Sequence, residues 1–163
     1  MLQAHDLIVA GPLLLIGFVH RRIAQKGAFF LVLSNLPITI LHELAHFTAA
    51  LLLGGRPTGV SLWPSHNNGK WRLGSVTARA TILSAAPTAL APLVWLAVGV
   101  LLLCERGPLA SGSPLTLCTV YVAAYLCLAA CIPSWQDIRI ALANPLSLIL
   151  WGTLLAAADI LVG

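Results

Sequence analysis

The chain has 163 residues, of which 59% are hydrophobic and only 9% charged, and its mean hydropathy is +0.93. A soluble domain carries about 25% charged residues, so a water-solvated globule is excluded and lipid is the expected solvent. The net charge of +4 comes from nine Lys and Arg scattered through connecting segments, which fits anionic headgroups and excludes the aromatic-interleaved basic patch of a nucleic-acid binder.

The first apolar run, Leu7 to Val19, is short and interrupted by Gly11-Pro12. A full span needs about 20 residues, so this run crosses only by recruiting its flanks. The segment before it lacks a positive n-region and no cleavage site follows Val19, so a removed signal peptide is not expected. After the basic connection His20-Arg21-Arg22 comes the second run, Ala28 to Leu53, in which Pro37 predicts a kink. It contains the most polar cluster of any span, His42-Glu43-Leu44-Ala45-His46, and ends at Gly54-Gly55.

The stretch from Gly54 to Arg79 is the longest polar one. Its alternating pieces Val60-Ser61-Leu62-Trp63 and Lys70-Trp71-Arg72-Leu73 flank the turn residues Pro64 to Gly69, which predicts a β-hairpin at the membrane surface. The two tryptophans suit that interface. Ala80 to Leu103 is a third run, uncharged apart from its flanks and containing Pro87 and Pro92, and Glu105 to Pro114 reads as a Gly/Pro/Ser connection. Leu115 to Ile132 is a fourth run, broken by Pro133-Ser134. Helix is predicted to resume from Trp135 to Ala143, and Leu146 to Val162 forms a last span after Asn144-Pro145. The predicted fold class is an all-α polytopic membrane protein of four to five transmembrane helices, with a short β-hairpin-like loop after the second run, all in a single membrane-embedded domain over residues 1–163.

Cys104, Cys118, Cys127 and Cys131 form no CxxC pair and read as small core residues. Cys127 and Cys131 share a helix face and are the one pair worth checking.

His42 and His46 are four positions apart, so on a helix both imidazoles face one metal ion. Glu43 lies on the adjoining edge, within reach of a proton on a metal-activated water; this is the HExxH arrangement of zinc hydrolases. At 1.5 Å per residue His42 lies roughly 21 Å from Ala28 and about 16 Å from Leu53, within the hydrocarbon depth. A charged residue there costs about 2.5–3.5 kcal/mol, so such groups are rarely idle. The competing reading is a polar triplet that only knits helices together.

Zinc needs a third protein ligand. Asp137, Asp159, Glu105, Asp6, His5, His20, His66 and the cysteines exhaust the usual donor types. Following the runs through the bilayer returns the segment after Pro133 to the depth of His46, which selects Asp137, with an ion pair to Arg139 as the alternative role. Glu105 and His20 fall on the opposite side, Asp159 reads as a helix-end residue, and His66 as a solvated turn residue.

His42-Glu43-Leu44-Ala45-His46 within a span, a hairpin-like loop after it, and an aspartate following a proline break two spans later resemble the site-2 protease family of intramembrane zinc metalloproteases. The resemblance covers roughly residues 28–143. It implies zinc ligands His42, His46 and Asp137, a catalytic Glu43, and a membrane-anchored protein substrate cleaved within or near its span. The family's third ligand lies in an Asn-Pro-x-Pro…Leu-Asp-Gly element; here Pro133 and Asp137 are present, and the asparagine and the following glycine are not. Ser84-Ala85-Ala86-Pro87 resembles the family's small-residue-Pro element. With no room for a PDZ or CBS domain, the chain reads as a minimal member, integral and multi-pass, in the inner membrane if bacterial. The alternative function is a non-hydrolytic metal-binding or metal-transporting membrane protein, in which Glu43 is a ligand or proton relay.

Overall fold

The computed structural model describes residues 4–61, 65–67, 70–72, 74–110 and 112–162, with side chains for 10–61, 74–110 and 112–161. The chain is mostly helical, and its elements follow in the order α1 (Ala4–Ala24), α2 (Ala28–Leu52), β1 (Pro57–Ser61), β2 (Ser65–Asn67), β3 (Lys70–Arg72), β4 (Ser75–Ala78), α3 (Ala85–Leu90), a 3₁₀ turn at Ala91–Leu93, α4 (Val94–Cys104), α5 (Arg106–Ala110), α6 (Pro114–Ala130), α7 (Trp135–Leu142) and α8 (Pro145–Val162).

Helix α1 recruits both flanks of the first apolar run and continues through Gly11-Pro12, since one proline removes a single intrahelical bond and leaves the remainder. Helix α2 likewise runs through Pro37. It ends in a Schellman closure: Gly54 takes φ +69, and the Gly55 N–H reaches back to the Ala50 carbonyl at 2.7 Å. Glycine is required at 54 because other residues rarely adopt that φ. The expected connection from Glu105 to Pro114 instead contains α5. Pro108 lies in its first turn, where a missing N–H costs nothing because no carbonyl precedes it in the helix.

The polar stretch forms two antiparallel ladders. The outer pairs β1 with β4, with an irregularity between Pro57 and Gly59; the inner pairs β2 with β3, matching Ser65 to Arg72 and Asn67 to Lys70. Val60 and Ser61 therefore pair with Val76 and Ser75 in the outer ladder, farther along than the alternation near Lys70 to Leu73 indicated. Residues 62–64, 68–69 and 73 lie outside the described residues, as do the side chains of Trp63, His66 and Trp71, so the interfacial role expected of the tryptophans falls there too.

Two compact units emerge. The first comprises Met1–Ile40 and Val94–Cys131, with α6 packed against α4, α5 and α1. In it His20 Nδ1 meets the Tyr125 hydroxyl at 2.7 Å, and a Cβ at Gly99 would lie 2.9 Å from the Leu128 side chain, so α4 and α6 approach closely only because Gly99 lacks one. The second comprises Leu41–Leu93 and Ile132–Gly163, with α3 packed on α7 and α8.

The buried positions are mostly small: Ala45, Ala50, Ala85, Ala86, Ala89, Ala124, Ala130 and Ala141, with Ser84 and Ser147 each 1% exposed. Large apolar side chains such as Leu52, Leu115, Leu155 and Ile160 point outward. Small residues let helix backbones approach closely, and outward leucine and isoleucine suit an apolar surrounding. Ala28–Leu52 and Ala85–Cys104 are each long and apolar enough to cross a membrane, and a third such span results if Pro114–Ala130 and Trp135–Leu142 are one broken helix.

Candidate metal centre

Helix α2 carries two donors on one face. The rings of His42 and His46 meet edge to face with centroids 4.7 Å apart, and their Nε2 atoms are 3.1 Å apart. Helix α7 supplies the third. Asp137 Oδ2 lies 3.3 Å from His42 Nε2, and Oδ1 lies 3.4 Å from His46 Nε2. His46 and Asp137 are buried and His42 is half-buried. No other group of three such donors occurs among the described residues.

These separations bear on whether the residues fit zinc. With metal–ligand bonds of about 2.0–2.1 Å, adjacent donors of a tetrahedral site lie about 3.3–3.4 Å apart. The observed 3.1, 3.3 and 3.4 Å are close to that edge length. Two imidazoles and one carboxylate also form a donor set that leaves a fourth position open.

His46 and Asp137 are each held by bonds outside the cluster. His46 Nδ1 donates to the backbone carbonyl of Thr88 at 2.7 Å. That bond places a proton on Nδ1, so in the neutral imidazole the Nε2 lone pair is directed at the cluster. In that tautomer the His46 Nε2 lone pair and Asp137 Oδ1, 3.4 Å away, are both available to a cation placed between them.

Asp137 is fixed by a capping box at the start of α7. The Ser134 N–H donates to Asp137 Oδ2 at 2.7 Å, and the Asp137 N–H donates to Ser134 Oγ at 3.2 Å. The helix therefore begins at the residue pair that aims its third-position aspartate. Pro133, just before the cap, cannot continue α6 into α7, and this sets where that start falls.

Glu43 is buried on α2 next to His42, 9% exposed. Arg139 is exposed and makes no ion pair with Asp137 among the described residues; the carboxylate faces the histidines instead. Asp159 and Glu105 are exposed and outside the cluster, and His20 bonds Tyr125. The side chains of His5, Asp6 and His66 are outside those described. All four cysteines are free; Cys127 is buried as expected of a core residue, Cys104 and Cys118 are exposed, and Cys131 donates to the Leu128 carbonyl, so Cys127 and Cys131 form no bridge.

Sequence reasoning missed three supporting groups. Ser134 was legible, because Ser-x-x-Asp before a helix is a capping-box signature. The Thr88 carbonyl and Ser147, discussed below, carry no such signature.

Comparison with protein-family models, with curated proteins and with solved structures gives no match to this chain.

Proposed function

We propose that this chain is a multi-pass membrane protein of four to five spans acting as an intramembrane zinc metalloendopeptidase of the site-2 protease type. The observation that carries the reading is the convergence of His42 Nε2, His46 Nε2 and the Asp137 carboxylate within 3.1–3.4 Å, with His46 braced by the Thr88 carbonyl of α3 and Asp137 by Ser134 at the start of α7. An outward layer of large apolar side chains over a small-residue interior supports the membrane setting.

When bound at the three donors, zinc supplies Lewis acidity toward water and the scissile carbonyl. The chain's own residues supply the rest. His42, His46 and Asp137 hold the ion, and the Thr88 carbonyl and Ser134 keep His46 and Asp137 in the ligating orientation. Glu43 accepts the proton of the attacking water and returns it to the leaving amine, the role of a general base followed by that of a general acid. Its burial beside His42 raises the effect of a nearby charge on each transfer.

The substrate is a membrane-anchored protein cleaved within or near its span. A peptide bond inside a helix is shielded by its own hydrogen bonds, so the substrate unwinds locally before cleavage. The outer ladder pairs Pro57–Ser61 with Ser75–Ala78 in an antiparallel two-stranded sheet. An extended substrate segment adds there as a further strand.

The test is Glu43→Gln in detergent-purified protein, measuring zinc per chain together with cleavage of a fluorescein-labelled casein probe. The reading predicts that the variant keeps zinc and loses at least about a hundredfold in cleavage rate. Equal cleavage by the variant and the unaltered chain would refute the catalytic role of Glu43, and loss of zinc from the variant would point to a ligand role instead.

A further inference from the structure

The first turn of α3 shows an unusual division of its hydrogen bonds. A helix start leaves its first N–H groups without intrahelical partners. Here the Ala85 N–H reaches the Thr81 carbonyl at 2.9 Å, the Thr88 N–H reaches the Ser84 carbonyl at 2.9 Å, and Pro87 has no N–H to place. Ser84, the residue before the helix, does not cap it; its hydroxyl is engaged by the Thr81 N–H and hydroxyl at 2.9 and 3.0 Å. The remaining donor, the Ala86 N–H, is taken by Ser147 Oγ of α8 at 3.0 Å, 61 positions along the chain. Ser147 is 1% exposed and Ala86 2%.

Helix α8 grips the same turn a second time. Trp151 Nε1 donates to the Leu83 carbonyl at 2.8 Å. Ser147 and Trp151 are four positions apart and so project from one face of α8. One accepts from the first turn of α3 and the other donates to Leu83, two residues before that helix, so the pair resists both sliding and rotation of that turn. One and a half turns of backbone from Leu83 lies Thr88, whose carbonyl receives the His46 Nδ1 proton.

We propose that α8 is a positioning strut for the metal centre, with Ser147 and Trp151 as positioning residues that hold the Thr88 carbonyl where it orients His46. The inference rests on the zinc reading above and extends it to a helix that contributes no ligand. It assigns the last helix of the chain a role in metal affinity: the strut fixes α3, α3 fixes the tautomer and ring plane of His46, and His46 presents Nε2 to the ion. Outer partners of a ligating histidine change metal affinity by about 10–100-fold. A group acting one step further out is expected at the lower end of that range.

The experiment compares Ser147→Ala, Ser147→Thr, Trp151→Phe and Thr153→Val with the unaltered chain in detergent. Thr153 is the control, because among the described residues its hydroxyl bonds the Leu150 carbonyl of its own helix. Zinc affinity is read by chelator competition, and the ligand-field absorption of the cobalt-substituted protein is read at saturating cobalt. Ser147→Ala and Trp151→Phe should each weaken zinc binding about tenfold and alter the cobalt spectrum, Ser147→Thr should restore both, and Thr153→Val should leave both unchanged. If Ser147→Ala does not fold, Trp151→Phe, which keeps an aromatic side chain and removes the N–H donor, decides the matter alone. Variants whose affinity and spectrum match those of Thr153→Val would overturn the strut while leaving the zinc reading intact. Absence of zinc binding by the unaltered chain would overturn the zinc reading and the strut with it.

Discussion

Ser134→Ala tests how far the third ligand depends on the start of its helix. The Asp137 carboxylate has one brace besides the histidines, the Ser134 N–H on Oδ2 at 2.7 Å, and its backbone has another, the N–H on Ser134 Oγ at 3.2 Å. Alanine removes only the second. Loss of a serine N-cap costs about 1 kcal/mol, within a range of about 0.5–2. Where that cost falls on the zinc-bound state, about 1.4 kcal/mol per tenfold converts it to roughly fivefold weaker binding, bounded by about twofold and thirtyfold. The side-chain series sharpens the test. Thr at position 134 keeps a capping hydroxyl and should bind close to normally, whereas Gly, which costs only a few tenths of a kcal/mol as an N-cap, should lose less than about twofold. Chelator competition on detergent-purified protein gives the four affinities directly. An Ala variant that binds zinc as tightly as the unaltered chain, or a Gly variant as weak as Ala, would refute the claim that the capping box sets the ligand.

Other expectations follow from single contacts. Asp137→Ala and His46→Ala should each reduce zinc in the purified protein from one per chain to a small fraction, read by elemental analysis. Gly55→Ala should lower the thermal unfolding midpoint in detergent, because its Cβ would lie 3.0 Å from Ser84 Oγ and 3.3 Å from the Ala50 carbonyl, an overpacking that costs about 1–3 kcal/mol. Gly99→Ala should destabilise by a similar amount, and Leu128→Ala should relieve part of it, since the clash is with that side chain at 2.9 Å; strictly additive effects in a double-mutant cycle would contradict this contact.

The parts of the site visible in the sequence are those whose spacing has a physical meaning on a helix. His42 and His46 were legible because four residues is close to one turn, and Glu43 because its neighbour was. Asp137 was reached by following the runs back and forth across a bilayer, an argument about depth that side-chain chemistry alone does not give. Ser134 stands in the sequence as Ser-x-x-Asp, directly after Pro133, whose helix-breaking signal is the stronger one. The Thr88 carbonyl had no signal, since every residue has one and only the packing of α3 on its neighbours selects which is used. Ser147 pairs with Ala86 across 61 positions, and a lone serine in an apolar run gives no hint of such a partner.

The helices were legible from their apolar runs, and their ends less so. Helix α5 was missed because Gly107-Pro108 reads as a turn, although proline is well tolerated in a first helical turn. The outer ladder was missed because β1 contains Pro57 and Gly59, which weaken the alternation that marks a strand.

The central claim is that two imidazoles and a carboxylate hold one zinc ion. Zinc-edge X-ray absorption on detergent-purified protein, with elemental analysis for stoichiometry, addresses it most directly. The account predicts one zinc per chain in a shell of two imidazole nitrogens and oxygen donors, with no sulfur. Purified, folded protein without stoichiometric zinc after incubation with the metal, or a shell containing cysteine sulfur, would contradict it.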